Sequence, residues 1–173
     1  MGKRSSFDRV PRDFYPTPAE AVAPLLLHLT PRTIYAEPCA GDGALIDALA
    51  AAGHCCAFAS DIEPRADGIH ERDARTVNCA PDLYITNPPW DRKVLHPIIT
   101  NLCQQAPTWL LFDADWVHTR QAAPFLPWLV KIVSVGRVKW IADSPFTGKD
   151  NCAWHLFDAR NTGAAQFFGR IAA

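Results

Sequence analysis

An α/β fold on a mostly parallel sheet is what this sequence predicts, on three observations. Short apolar runs of strand character alternate with helical runs through the first part of the chain, the pattern of strand–helix–strand crossovers. Two strand-like runs then follow one another near the C-terminus with no helical period between them, which predicts an antiparallel hairpin or edge. Glycines, prolines and acidic residues collect where the predicted strands end, the rim on which open α/β sheets bind ligands.

Each element has its own justification. The run over 19–30 reads as a helix, because Pro18 suits a helix start and Ala21, Leu25 and Leu26 share one side. TIYAEP (33–38) is a short strand. GALIDALAAAG (43–53) is a helix that Gly53 closes, since glycine adopts the left-handed turn on which many helices end. CCAFASDIEP (55–64) is the second strand, GIHERDARTV (68–77) a weak third strand and turn, and DLYITN (82–87) a fourth. VLHPIITNLCQQA (94–106) is the next helix, interrupted early by Pro97. TWLLFDADWV (108–117) is strongly strand-like, and RQAAPFLPWLV (120–130) is a proline-broken helix. KIVSVGRVKWI (131–141) and NCAWHLFDA (151–159) complete the strands. No internal repeat or linker divides the chain, so one domain over 1–173 is expected.

Composition excludes several classes. With 49% hydrophobic and 20% charged residues the chain is globular, and its 173 residues suit one domain. No apolar run approaches the roughly 20 residues of a membrane span, and the basic start lacks the apolar core of a secretory signal. A soluble, cytoplasmic protein is the expectation. Cys39, Cys55, Cys56, Cys79, Cys103 and Cys152 form no C-x-x-C pair and the histidines are scattered. Free thiols in a reducing compartment are therefore expected, and no metal site.

Net charge is −1, but its distribution is uneven. Lys3, Arg4, Arg9 and Arg12 face Asp8 alone in residues 1–12, and Arg120, Lys131, Arg137, Lys139 and Lys149 face Asp143 alone in 116–149. Residues 61–82 hold Asp61, Glu63, Asp67, Glu71, Asp73 and Asp82 against three arginines. Basic flanks around an acidic centre suit a cation-bearing cofactor in the middle and a polyanion at the rim. Ordinary solvated charges give the same pattern.

The strand ends carry the chemistry. After the first strand comes Glu37, then Gly41-Asp42-Gly43, where two glycines let the backbone turn tightly and approach a ligand. A Walker lysine and the full dinucleotide fingerprint are both missing, and a lone Gly-x-Gly is also an ordinary turn. Asp61, about twenty residues beyond Gly41, stands where a carboxylate accepts both hydroxyls of a ribose. Asp73 can accept from an exocyclic amine of a nucleobase, since an ionised carboxylate is an acceptor only. The fourth strand ends in Asn87-Pro88-Pro89-Trp90. Proline fixes φ and offers no N–H, so this strand exit is held stiffly.

In this order DFYPTP, AEPCAGDG, SDIEP, RDA and TNPPW, spanning 13–90, resemble motifs X, I, II, III and IV of the amino-group DNA methyltransferases. FYPTP ahead of the glycine loop resembles the gamma arrangement and the small phage- or prophage-type enzymes. GRVKWIADSPFTGKDNCAWHLF is more loosely similar to their C-terminal strands. The resemblance implies a Rossmann-like class I methyltransferase domain: a mostly parallel seven-stranded sheet with an antiparallel strand near the C-terminus, flanked by helices. S-adenosylmethionine is the implied cofactor. Phe14, Tyr15, Thr17 and Glu37 would surround its methionine part, with Cys39, Ala40, Gly41 and Gly43 lining it. Asp61 with Ile62 would meet the ribose, Asp73 with Ala74 the adenine, and Asn87 the methyl-transfer end.

NPPW then gains a function. The N6 lone pair of adenine is delocalised into the ring and is a poor nucleophile. If the Asn87 side-chain oxygen and the Pro88 carbonyl each accept one amine N–H, density returns to the nitrogen and its lone pair can be aimed at a sulfonium methyl. Pro89 stiffens the clamp, and Trp90 offers a stacking face worth roughly 1–3 kcal/mol per base. Many relatives carry a separate recognition domain, which is not expected here. Residues 142–151 would read the nucleic acid instead: Ser144, Thr147, Lys149 and Asn151 in the loop, with Arg137 and Lys139 before it. The expected partner is DNA, duplex with a flipped base or single-stranded, with RNA as the alternative. Cytosine N4, a protein glutamine, or an inactive nucleotide-binding fold acting as a binding module are the other readings.

Overall fold

Strand β5 (Thr108–Asp113) lies inside an eight-stranded sheet and is buried on both faces, which is why TWLLFD reads as an unbroken apolar run. The computed structural model describes residues 14–141 and 147–170. Across the sheet the order is β3 (His70–Glu71), β2 (Cys55–Asp61), β1 (Ile34–Glu37), β4 (Tyr84–Thr86), β5, β7 (Asn151–Phe157), β6 (Leu129–Arg137) and β8 (Gln166–Phe168). Only β7 is reversed: it pairs antiparallel with β5 and β6, while every other pairing is parallel.

Period-two alternation splits the core between the two faces. Leu110 and Phe112 of β5 meet Leu95, Ile98, Ile99 and Leu102 of helix α3 (Arg92–Cys103) on one side. Trp109 and Leu111 meet Ala21, Val22 and Leu25 of α1 (Ala19–Leu26) and Leu45 and Leu49 of α2 (Ala44–Ala51) on the other. Burying each such leucine or isoleucine contributes about 1.5–3 kcal/mol. The indole N–H of Trp154, fully buried on β7, donates to the Ala21 carbonyl at 2.8 Å and ties α1 to the sheet.

Several elements differ from expectation for identifiable reasons. The first helix stops at Leu26 rather than Thr30, because the N–H groups of His28 and Leu29 bond three residues back, to the Leu25 and Leu26 carbonyls, in tighter turns. The third strand keeps only two residues. Pro97 does not interrupt α3, which runs through it from Arg92. The strand-like run at 108–117 leaves the sheet after Asp113 as a 3₁₀ turn over Ala114–His118. Residues 120–130 form no helix. Pro124 and Pro127 withhold N–H groups, and only 3₁₀ turns at Arg120–Ala122 and Leu126–Trp128 form. The seven expected strands are joined by an eighth, β8, on the open edge of β6.

His155 sits in this core with no exposed surface, stacked on Phe112 at 3.9 Å between ring centroids, and neither ring nitrogen has a partner. Burial pushes its pKa down to about 3, and the nearby backbone of Leu110 and Ala153 offsets only part of that. The folded state therefore holds a neutral imidazole. Its contribution is intact above the ordinary histidine value and is lost as pH falls from about 6.5 toward 3. Urea unfolding of His155→Phe and the wild type is expected to show a gap moving in the variant's favour by up to about 1.4 kcal/mol per pH unit over that interval. A gap independent of pH would contradict a buried neutral histidine.

Candidate active site

Between β2 and β4 the chain changes side: β2 and β3 lie to one side of β1, and β4 returns on the other. A crevice opens beyond the carboxyl ends of strands at such a reversal. A cavity of about 580 Å³ lies at this rim. It takes Glu37 from the end of β1, Asp61 from the end of β2, and Asn87 from just after β4.

The glycine loop is built as a cradle. Gly41 adopts φ +56°, and a Cβ there would stand 2.6 Å from the Phe14 ring. Its N–H donates to Asp61 Oδ2 at 2.9 Å, its carbonyl accepts from Arg65 N at 2.9 Å, and Ala40 N donates to the Ser60 carbonyl at 2.9 Å. Asp61 Oδ1 accepts from Glu63 N at 2.8 Å. The carboxylate is thus fixed by two backbone bonds, and each oxygen keeps a further lone pair for a ligand. Gly43, at φ +87°, does not line the cavity but turns the chain into α2.

Phe14, Tyr15 and Thr17 line the same cavity, Phe14 directly against Gly41. The Arg65 guanidinium lies 3.9 Å from the centre of the Phe14 ring, so that ring is held between an arginine and Gly41. Tyr15 meets Trp140 at 6.4 Å. The buried Thr17 hydroxyl accepts from Asn87 Nδ2 at 3.0 Å.

The Asp73–Ala74 corner is braced from behind. Asn101 on α3 donates to the carbonyls of Ala74 and Val77, and Gln105 donates to Val77 and itself accepts from Tyr84. Asp73 also accepts from the Arg75 backbone and guanidinium, which holds its carboxyl below the usual carboxylate range. An ionised acceptor therefore stands at this end.

Cys39, Ala40, Ile62, Asp73, Ala74 and Pro89 join the same lining. The cavity thus unites every residue expected at the cofactor except Gly43. Pro88 is buried and Trp90 half-buried, and neither belongs to the lining. Trp90 packs against both core clusters and meets Trp140 edge-on at 5.8 Å. Asp91 follows at once, caps α3 by accepting from Lys93 N at 3.0 Å, and clamps the strand exit between β4 and a helix. Arg137, Lys139, Thr147, Lys149 and Asn151 are exposed around the β6–β7 connection and none lines the cavity, whereas Ser144 lies outside the described residues. Lys3, Arg4, Arg9 and Arg12 lie outside them too.

Sequence reasoning missed Arg65, Arg75 and Trp140. Nothing in their spacing announces them, because each is placed by the return path of a loop. Asp91 was accessible as an N-cap directly before an apolar-periodic run.

Six acids line the cavity, Glu37, Asp42, Asp61, Glu63, Asp73 and Asp91, against Arg65 and Arg75. Among the described residues no group of three histidine, cysteine or acidic side chains is arranged to hold a metal, and no helix is long and apolar enough to cross a membrane. Glu37 is buried with Oε2 unpartnered. Burial first, then the charges of Asp61 and Asp42, raise its pKa well above the carboxylate range.

Comparison with known proteins places this geometry. No protein-family profile and no curated protein sequence matches the chain. Among solved structures it is similar to a proposed RNA methyltransferase from Pyrococcus horikoshii, at TM-score 0.61 and 16% identity over 88% of this chain and 90% of that one. A proposed class I S-adenosylmethionine-dependent methyltransferase from Listeria monocytogenes matches at TM-score 0.56 and 11% identity, over 94% of this chain and 68% of that one. The modification subunit of a proposed type I restriction enzyme from Vibrio vulnificus matches at 0.54 and 14% identity, over 92% of this chain and 48% of that one. The chain has the class I methyltransferase fold. At these identities the likeness is one of fold, and in the class I fold the cavity described here is the crevice at the strand-order reversal.

Glu37 gives the site a ligand-free signature. Its folded pKa is raised, so its contribution to stability is complete below the unfolded carboxylate value and is lost as pH rises toward the folded one. Glu37→Gln should match the wild type near pH 4. It should be the more stable protein at pH 7, because the wild type there must hold an unpaired buried carboxyl that its unfolded chain ionises freely. Equal stability of the two proteins at pH 7 in urea titrations would contradict an unpaired buried carboxyl.

Proposed function

We propose that this protein transfers the methyl group of S-adenosylmethionine to an exocyclic amino group of a nucleobase, N6 of adenine in DNA. The observation that carries the reading is that Asn87 shares one cavity with Gly41, Asp61 and Asp73. The cavity suits the cofactor chemically. A buried unpartnered carboxyl and an acidic lining favour a cation.

S-adenosylmethionine supplies an electrophilic sulfonium methyl when bound. Asp61, held by the Gly41 and Glu63 backbone, would accept from the ribose hydroxyls, and Asp73 from the adenine amine. Glu37, Phe14 and Tyr15 would hold the amino-acid part, with Cys39, Ala40, Ile62 and Ala74 closing around the rest. The Asn87 oxygen and the Pro88 carbonyl would accept the two N–H bonds of the target amine, keeping the lone pair on nitrogen and aligned for attack. The product ammonium is acidic enough to release its proton to water. Trp90 would stack on the base, and the exposed Arg137, Lys139, Thr147, Lys149 and Asn151, with Ser144 in the same connection, would contact backbone or base edges. A small restriction–modification or phage-borne enzyme of one catalytic domain fits this reading. RNA adenine is the second reading, favoured by the likeness to a proposed RNA methyltransferase.

Labelled methyl transfer to duplex DNA, single-stranded DNA, RNA and protein in parallel, followed by digestion and mass analysis, is expected to yield N6-methyladenine in DNA. Asn87→Ala should lower the rate about 10²- to 10³-fold, the loss seen when one fixed hydrogen-bonding group leaves an active site, while cofactor binding persists. Label only in cytosine, RNA or protein would overturn the substrate, and full activity of Asn87→Ala would overturn the clamp.

A further inference from the structure

We infer that Thr17 is a positioning residue for the transfer step: its hydroxyl holds the Asn87 amide with Oδ1 free to face the target amine. The inference rests on the proposed methyl transfer at Asn87. A primary amide is planar, with two donor hydrogens on nitrogen and two acceptor sites on oxygen. A target amine presents N–H donors, so only the oxygen end can clamp it, and the nitrogen end would meet it donor to donor. Asn87 Nδ2 donates to Thr17 Oγ1 at 3.0 Å, which occupies the nitrogen end and leaves Oδ1 for the amine. No hydrogen bond within residues 83–91 does this, and the partner comes from 70 positions away.

What fixes the hydroxyl is the core. Thr17 is 6% exposed and lies between Pro16 and Pro18, which restrict its backbone on both sides. Pro18 leads into α1 and accepts from Ala21 N at 2.9 Å. The carbonyl of that same Ala21 accepts from the fully buried Trp154 indole at 2.8 Å. Thr17 thus stands just before a helix pinned to β7, while Asn87 stands on the exit of β4. Their bond spans the cavity wall and needs both elements in place. The same segment touches Gly41 through Phe14 and Trp140 through Tyr15, so its seating orients the amide and encloses the cavity together.

Thr17→Val keeps the branched shape and removes only the hydroxyl, and Thr17→Ser restores it. At saturating S-adenosylmethionine, Thr17→Val is expected to lower kcat roughly 10- to 100-fold, the scale of a misoriented reacting group. Its cofactor Kd by calorimetry and its Tm should stay near the wild-type values, and Thr17→Ser should recover most of the rate. A Thr17→Val enzyme with weakened cofactor binding and unchanged kcat would make Thr17 a cofactor contact and overturn the inference. Unchanged kcat beside an inactive Asn87→Ala enzyme would overturn it too. If Asn87→Ala itself kept full activity, the underlying reading of Asn87 would fail instead.

Discussion

Strand β4 re-enters the sheet on the far side of β1 from β2, and the candidate site follows from that reversal. Parallel strands on either side of a reversal send their connections over opposite faces, so the space above their ends stays open. Glu37, Gly41 and Asp61 reach it from one side and Asn87 from the other. A sheet ordered by simple succession would have separated the glycine loop from the Asn-Pro-Pro turn.

The rim is rigid because its acids are tied to backbone. Asp61 is bound to Gly41 and Glu63, Asp73 to Arg75, and Asp91 to Lys93. Except for the Gly41–Asp61 bond these are local, cost little conformational entropy, and all of them set the carboxylates before any ligand arrives. Glu37 is the exception, buried with an unpartnered oxygen. Two core groups, Glu37 and His155, thus prefer their neutral forms, and their pH dependences oppose each other. His155 gives up hydrogen bonding for stacking in an otherwise apolar layer. Glu37 lies where a cationic ligand would supply its partner.

Much of this was legible in the residues, and the boundary is physical. The alternation of runs gave the parallel half of the sheet and the late hairpin, because period and composition encode which faces are buried. The rim residues were legible because strand ends fall at predictable places: Glu37, Gly41, Asp61, Asp73 and Asn87 all meet in one cavity. Local punctuation misled where tertiary packing overrode it. Pro97 sits within α3, whose Leu95, Ile98, Ile99 and Leu102 bury one continuous face, whereas around Pro124 and Pro127 only short 3₁₀ turns form. β8 was illegible since its three residues are exposed and held by pairing with β6 and by the distant His28 ring against Phe168. Arg65 over Phe14, Trp140 against Trp90, and the Thr17–Asn87 bond depend on how distant loops meet, which no periodicity records.

In the proposed reading, binding of cofactor and presentation of an amine meet at one strand-order reversal. A structure of the protein with S-adenosylhomocysteine tests that most directly. The adenine is expected beside Asp73, the ribose hydroxyls on Asp61, and the sulfur facing Asn87. A ligand bound away from the Gly41–Asp61–Asn87 cavity, or no binding at all, would contradict the account.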